Sequence, residues 1–246
     1  MSFELCAAQV ERGDPDRFLS AQTAEGAVRD GLMALYAFNL EVARAPWVTN
    51  EPMIAAIRFQ WWRDALDEIY SGKTPRKHEV VEPLAFTIAA HDLPQADFAA
   101  LIDAREADVE AAPHETRAAF DHYIDATSGG LMALAGKICG ADHPAIRRFG
   151  WGVGVANLLA ALPALRAAHK DPLPGEAAPI IADAQSALKE ARAQRRAVPE
   201  TALPALLAGW QADAILANAA KGAEDPRPSE FRRRASFALK AASGRW

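Results

Sequence analysis

Apolar positions along this chain recur with a helical period, and nowhere do they alternate as a half-buried strand requires. Between Met53 and Tyr70, Ile54, Ile57, Trp61, Leu66 and Ile69 predict the core face of a helix. Phe98, Leu101, Ile102, Arg105 and Val109 repeat the spacing. Thr116–Lys137 starts with a side chain able to cap a helix and continues through Phe120, Tyr123, Ile124, Thr127, Leu131 and Leu134. Gly129-Gly130 interrupts that stretch, predicting either a kink or a close backbone approach. Turn signals such as Gly13-Asp14-Pro15, Ala45-Pro46, Ser71-Gly72, Ala112-Pro113 and Asp142-His143-Pro144 divide the remainder into about eight to ten helices.

Phe149 to Leu165 is a run of 17 uncharged residues, at the lower edge of a membrane span. Gly150, Gly152, Gly154, Asn157 and Pro163 break its hydrophobicity, so a buried core helix is expected, its glycines letting neighbouring helices pack closely. Asp171–Pro179 is the best internal boundary, but no later helix carries an apolar face large enough for a core of its own. The expected organisation is one helical domain over residues 1–226 and a basic tail or helix over 227–246.

Composition agrees: 56 Ala stand against 28 Val, Ile and Thr together, the balance of an all-α protein. Net charge is −5, with +5 in residues 227–246 and −10 in the rest. An acidic body argues against nucleic acid as a partner, whereas a basic terminal segment opens peripheral contact with an anionic inner membrane. Cys6 and Cys139 make neither a disulfide framework nor a zinc spacing, and are expected to be small buried apolar residues of a reducing compartment. The opening residues lack a basic segment ahead of an apolar one, so the expected location is cytoplasmic.

The six histidines have no i,i+4 pairing, and Gly150-Trp151-Gly152-Val153-Gly154 lacks the preceding strand of a nucleotide-binding loop. One ordered set is more specific. Leu35-Tyr36-Ala37-Phe38-Asn39-Leu40-Glu41 is followed by Gln60-Trp61-Trp62-Arg63-Asp64-Ala65-Leu66 and His78-Glu79-Val80-Val81. Tyr123, Thr127-Ser128-Gly129-Gly130-Leu131-Met132 and Gly152-Val153-Gly154-Val155-Ala156-Asn157-Leu158-Leu159 come next. In this order and spacing, over about two-thirds of the chain, these elements resemble the squalene/phytoene synthase family.

The resemblance implies an all-α isoprenoid-synthase-like domain with a central cavity. In active members, aspartates on two facing helices hold Mg²⁺, and the ions grip and draw off the diphosphate of an allylic substrate. This sequence departs there. The resemblance puts Ala43, Arg44 and Trp47 at the first aspartate motif and Ala161 and Leu165 at the second, and no Asp or Glu lies between Asp142 and Asp171. The acids Asp64, Asp67 and Glu68, and Asp103, Glu106 and Glu110, read as solvated faces.

The degenerate pattern is similar to the family's aspartate-poor subgroup, which includes the mitochondrial complex I assembly factor six. It implies a non-catalytic protein acting in assembly of a membrane respiratory complex, with assembly intermediates or the membrane surface as partners. A lipid or isoprenoid is the implied cavity ligand, and no cofactor or metal is expected. The alternative is an active, Mg²⁺-dependent prenyl transferase joining two isoprenyl diphosphates, which the missing aspartates disfavour. Tyr36, Phe38, Arg44, Tyr123, Gly129, Gly130, Met132 and Asn157 are expected around the cavity. Arg44 pairs with Glu41 or Asp30 on this reading, with direct binding of an anionic head group as its other role.

Overall fold

A computed structural model describes residues 3–48, 51–109, 112 and 114–246; Glu110 and Pro113, which enter two of the expectations above, lie outside the described residues. Helices α1 (Phe3–Gly13), α2 (Pro15–Ala21), α3 (Gly26–Arg44), α4 (Pro52–Tyr70), α5 (Val81–His91) and α6 (Gln95–Arg105) form the first half. The second comprises α7 (Arg117–Ile124), α8 (Gly130–Ile138), α9 (Pro144–Ala167), α10 (Ala177–Ala193), α11 (Leu203–Leu206), α12 (Ala212–Ala220) and α13 (Glu230–Ser243). Among the described residues thirteen segments exceed the expected eight to ten because short helices such as α2 and α11 form on either side of Pro and Gly breaks too close together for periodicity to show.

Two buried clusters organise the bundle. One gathers α1, α3, α4, α5, α6 and α8 around Phe38, which packs edge-on against Trp62 at 5.1 Å and Phe98 at 5.3 Å. The other surrounds α9 and joins α7, α10 and α12 through Phe120, Phe149, Leu188 and Leu216. By length and composition α9 is apolar enough to cross a membrane, yet Phe149–Ala156 is buried throughout as the core of this cluster.

α7 and α8 are one continuous helix widened by a π turn at Asp125–Gly129. The Thr116 hydroxyl caps its start, accepting from the Ala119 amide at 3.1 Å. The glycines explain the turn. A Cβ at Gly129 would sit 3.2 Å from the Arg147 carbonyl oxygen, and one at Gly150 would sit 3.0 Å from the Gly129 Cα. α9 thus lies against the widened turn through Gly150 and Gly154, and against α10 through Gly152 on its opposite face, the close packing expected of this glycine run. Arg147 ties the turn down, donating to Asp125 at 2.8 Å and Asp97 at 2.9 Å.

The face expected of α4 is only partly the buried one. Ala55, Phe59, Trp62, Ala65 and Leu66 face the core, while Ile54 and Ile57 are exposed. The first half of this helix is apolar on several sides, so its periodicity does not distinguish the side the fold covers. Cys6 and Cys139 are buried, and burial pushes their thiols up to about 12 and about 11, the state of inert packing groups. Segment 227–246 forms α13 and packs on the body. Phe237 sits edge-on to Trp210 at 4.8 Å, Arg233 pairs with Asp16 at 2.5 Å, and Trp246 is buried against Phe149.

Candidate functional site

A cavity of about 660 Å³ opens between the end of α3, the end of α6, α7 with its π turn, and the C-terminal half of α9. Its apolar wall includes Ala43, Trp47, Ile124, Leu158, Ala161 and Leu165. The π turn presents Thr127 and Ser128 to it, but both hydroxyls are spent internally, on the carbonyls of Tyr123 at 2.7 Å and Gly150 at 2.9 Å. Asn157 is on the wall and, with Arg17, also borders a smaller 190 Å³ chamber that includes Asp14, Asp16 and Gln211.

The charged groups come from four separate elements. Arg105, at the end of α6, donates to Asp108 at 2.9 Å and to the Tyr123 hydroxyl at 2.7 Å, and that hydroxyl donates to Asp108 at 2.8 Å. Burial works against the Arg105 charge, but Tyr123 and Asp108 hold its pKa above the ordinary value. Burial also pushes the Tyr123 hydroxyl up, against the pull of Arg105, so it stays protonated. The His114 ring lies 4.8 Å from that of Tyr123, and burial lowers its pKa. Arg17, on α2, pairs with Asp14 and stacks over the Tyr36 ring at 5.7 Å.

Lys170 is placed by the way α9 ends. His169 adopts a left-handed φ of 59°, the amide of His169 donates to the Arg166 carbonyl, and that of Lys170 returns to the Leu165 carbonyl at 2.9 Å. This is a Schellman closure with a residue other than glycine at its left-handed position. It folds Lys170 back along the last turn, where its ammonium stands 4.5 Å over the Trp47 ring and donates to the Asp108 carbonyl oxygen.

Of the residues expected around the cavity, Tyr123 and Asn157 line it, as do Ala43, Trp47, Ala161 and Leu165. Tyr36 reaches it only through Arg17. The others face elsewhere. Phe38 belongs to the aromatic cluster with Trp62 and Phe98; Gly129 and Gly130 face Asp125 and Arg147; Met132 packs at Gly150. Arg44 turns away to lie over Gly13, where a Cβ would come within 2.5 Å of its guanidinium. Its two expected partners are engaged elsewhere: Glu41 accepts from Gln9, and Asp30 lies 3.9 Å from Arg29. Arg17, Arg105, Asp108, His114 and Lys170 were not expected. Arg105 and Asp108 are a local i,i+3 pair at the end of α6, but Arg17, His114 and Lys170 come from separate helix ends or connections, and no local spacing links them to it.

The residues present do not fit a metal site. Among the described residues no group of three or more His, Cys, Asp or Glu side chains is arranged to hold an ion, and the cavity wall offers Ala, Trp, Ala and Leu at 43, 47, 161 and 165. The acids Asp64, Asp67 and Asp103 are engaged with Gln60, Gln95 and Arg63 at 2.7, 2.8 and 2.6 Å, away from the cavity. An apolar strip of Trp47, Val48, Met53, Ile54 and Ile57 lies exposed where Trp47 enters the cavity.

Residues 10–178 match the squalene/phytoene synthase family. The chain belongs to that family. This squalene/phytoene synthase family member shares its all-α fold with a dehydrosqualene synthase solved with ligand, at a TM-score of 0.79 and 14% identity over 98% of this chain and 95% of that one. It also shares it with squalene synthase HpnC from Alicyclobacillus acidocaldarius, at 0.74 and 17% over 96% and 94%. Among curated proteins it is similar to the NADH dehydrogenase (ubiquinone) complex I assembly factor 6 of Bos taurus, 27% identical over 64% of this chain and 48% of that protein. The Mus musculus protein of the same name is 24% identical over 82% of this chain and 69% of its own length. The chain thus spans about half the length of the cattle relative.

Proposed function

We propose that this protein is a non-catalytic member of its family that acts in assembly of a membrane respiratory complex, complex I, and retains the cavity to hold a lipid or isoprenoid. One observation carries the reading: the cavity persists, while the positions at which the family resemblance puts metal ligands line it as Ala43, Trp47, Ala161 and Leu165. Methyl, indole and isobutyl groups cannot ligate Mg²⁺ or neutralise a leaving diphosphate. The names of the curated relatives support the assembly role. On this reading the protein works from the cytoplasmic side, peripheral to the inner membrane.

Deleting the gene in the source organism tests the role. Loss of assembled complex I on native gels, with other respiratory complexes intact, is the expected result; normal complex I overturns it. The chemistry is tested separately by incubating purified protein with farnesyl or geranylgeranyl diphosphate and Mg²⁺. Chelator-sensitive diphosphate release would reinstate the prenyl transferase reading.

A further inference from the structure

Lys170 is the cavity cation whose described partners are neutral: the Asp108 carbonyl oxygen and the Trp47 ring. Arg17 is bound to Asp14 and Arg105 to Asp108. The neighbouring acid, Asp171, pairs with Arg166 at 2.9 Å and accepts from the Leu173 amide, and Glu115 on the cavity wall is exposed to solvent. An ammonium has three donors, and the Asp108 carbonyl takes one. The His169 turn fixes the backbone from which this side chain projects, so its direction is set by the fold.

Polarity is graded along the cavity. Lys170 stands at its rim beside Trp47, which is 49% exposed. The floor is Ile124, Ser128 and Gly154, all buried, with the Ser128 hydroxyl spent on Gly150. A cationic rim over a floor of Ile124, Ser128 and Gly154 suits a molecule with an anionic head and an apolar tail. One ammonium matches a carboxylate and offsets about half the charge of a phosphate monoester, which is roughly −2 at neutral pH; a diphosphate would leave most of its charge uncompensated in a partly desolvated site.

We infer that the cavity binds, without metal, an amphiphile bearing a single phosphate or carboxylate head, with the head on Lys170 and the tail along Ile124, Leu158 and Leu165. This rests on the cavity-ligand part of the function proposed above.

Calorimetric titration of the full chain in EDTA, with farnesyl monophosphate, farnesol and inorganic phosphate as probes, tests it. Farnesyl monophosphate is expected to bind about tenfold or more tighter than farnesol, the scale of one charge-assisted hydrogen bond, and inorganic phosphate alone far more weakly than either. Lys170→Met should erase the preference for the phosphate while leaving farnesol affinity in place, and Lys170→Arg should retain it. Lys170→Gln, which keeps a donor for the Asp108 carbonyl, repeats the test should the Met variant fail to fold. Equal affinity for the two farnesyl compounds, or a preference that survives in both neutral variants, overturns the inference. Phosphate binding as tightly as farnesyl monophosphate overturns it in favour of a free-anion site. If neither farnesyl compound binds, the cavity-ligand reading itself fails; if farnesol binds and the head makes no difference, only this inference does.

Discussion

At Gly154 a Cβ would lie 2.5 Å from the Ser128 Cβ and 2.9 Å from the Ile124 Cγ2, both on the helix that carries the π turn. Gly154→Ala must push α9 off that turn. It is expected to destabilise the protein by about 1–3 kcal/mol in urea denaturation, and an unchanged midpoint would show that the contact can relax freely. His169 presents the opposite case. Its φ of 59° carries the penalty of a left-handed residue with a Cβ, which glycine lacks. His169→Gly should therefore stabilise the fold by up to about 1 kcal/mol, less the extra freedom glycine gives the unfolded chain. Acid sensitivity belongs to the same scale. Burial lowers the pKa of His91 and of His114, for the latter against the opposing pull of Asp108, from the ordinary 6.5. Below that value the unfolded chain binds protons that the folded one refuses, so stability rises with pH. The contribution is complete above the unfolded value and is lost as pH falls through the depressed folded values. The urea midpoint should drop between pH 7 and pH 5, and the drop should be smaller in His91→Gln/His114→Gln.

Among the elements, α13 changes most once its packing is known. Its basic composition suggests a helix for an anionic membrane, but Arg233 is engaged by Asp16 and Lys240 by Asp213 at 3.2 Å, while Phe237 covers Trp210. What remains outward is Phe231, 82% exposed, and Leu239, 71% exposed, with Arg232 and Arg234 exposed beside them. If this face touches a membrane, flotation with anionic vesicles is weak and falls as salt rises. Phe231→Glu/Leu239→Glu should abolish it while leaving the thermal midpoint unchanged; flotation undiminished in that variant would clear α13 of the role. Removing residues 227–246 is a poorer test, because it also strips Trp246 from Phe149 and uncovers Trp210.

For the whole molecule, Ala43, Trp47, Ala161 and Leu165 on the cavity wall, and the want of any described cluster of acids arranged to hold an ion, predict indifference to divalent cations. Millimolar Mg²⁺ should leave the thermal midpoint where it is, since an ion that binds the folded state stabilises it by mass action; a midpoint that rises with Mg²⁺ would overturn the metal-free reading. Much of this architecture was legible in the chain. Helical periodicity, the Thr116 cap and the Pro and Gly breaks are local signals, and helices answer to local signals. Order and spacing of residues along the chain were enough for an all-α domain of this family, the buried central helix with its glycines, and the loss of acids at Ala43, Trp47, Ala161 and Leu165. It took the packing of the helices to show that Phe38, Arg44, Gly129, Gly130 and Met132 lie off the cavity wall, which face of α4 is covered, and that Arg17, Arg105 and Lys170 are the cavity's cations. Lys170 meets Trp47 across 123 positions of the chain, and Arg105 meets Tyr123 across a helix boundary. Such contacts are set by how helices cross and where they end, and they leave no period in the sequence that could announce them.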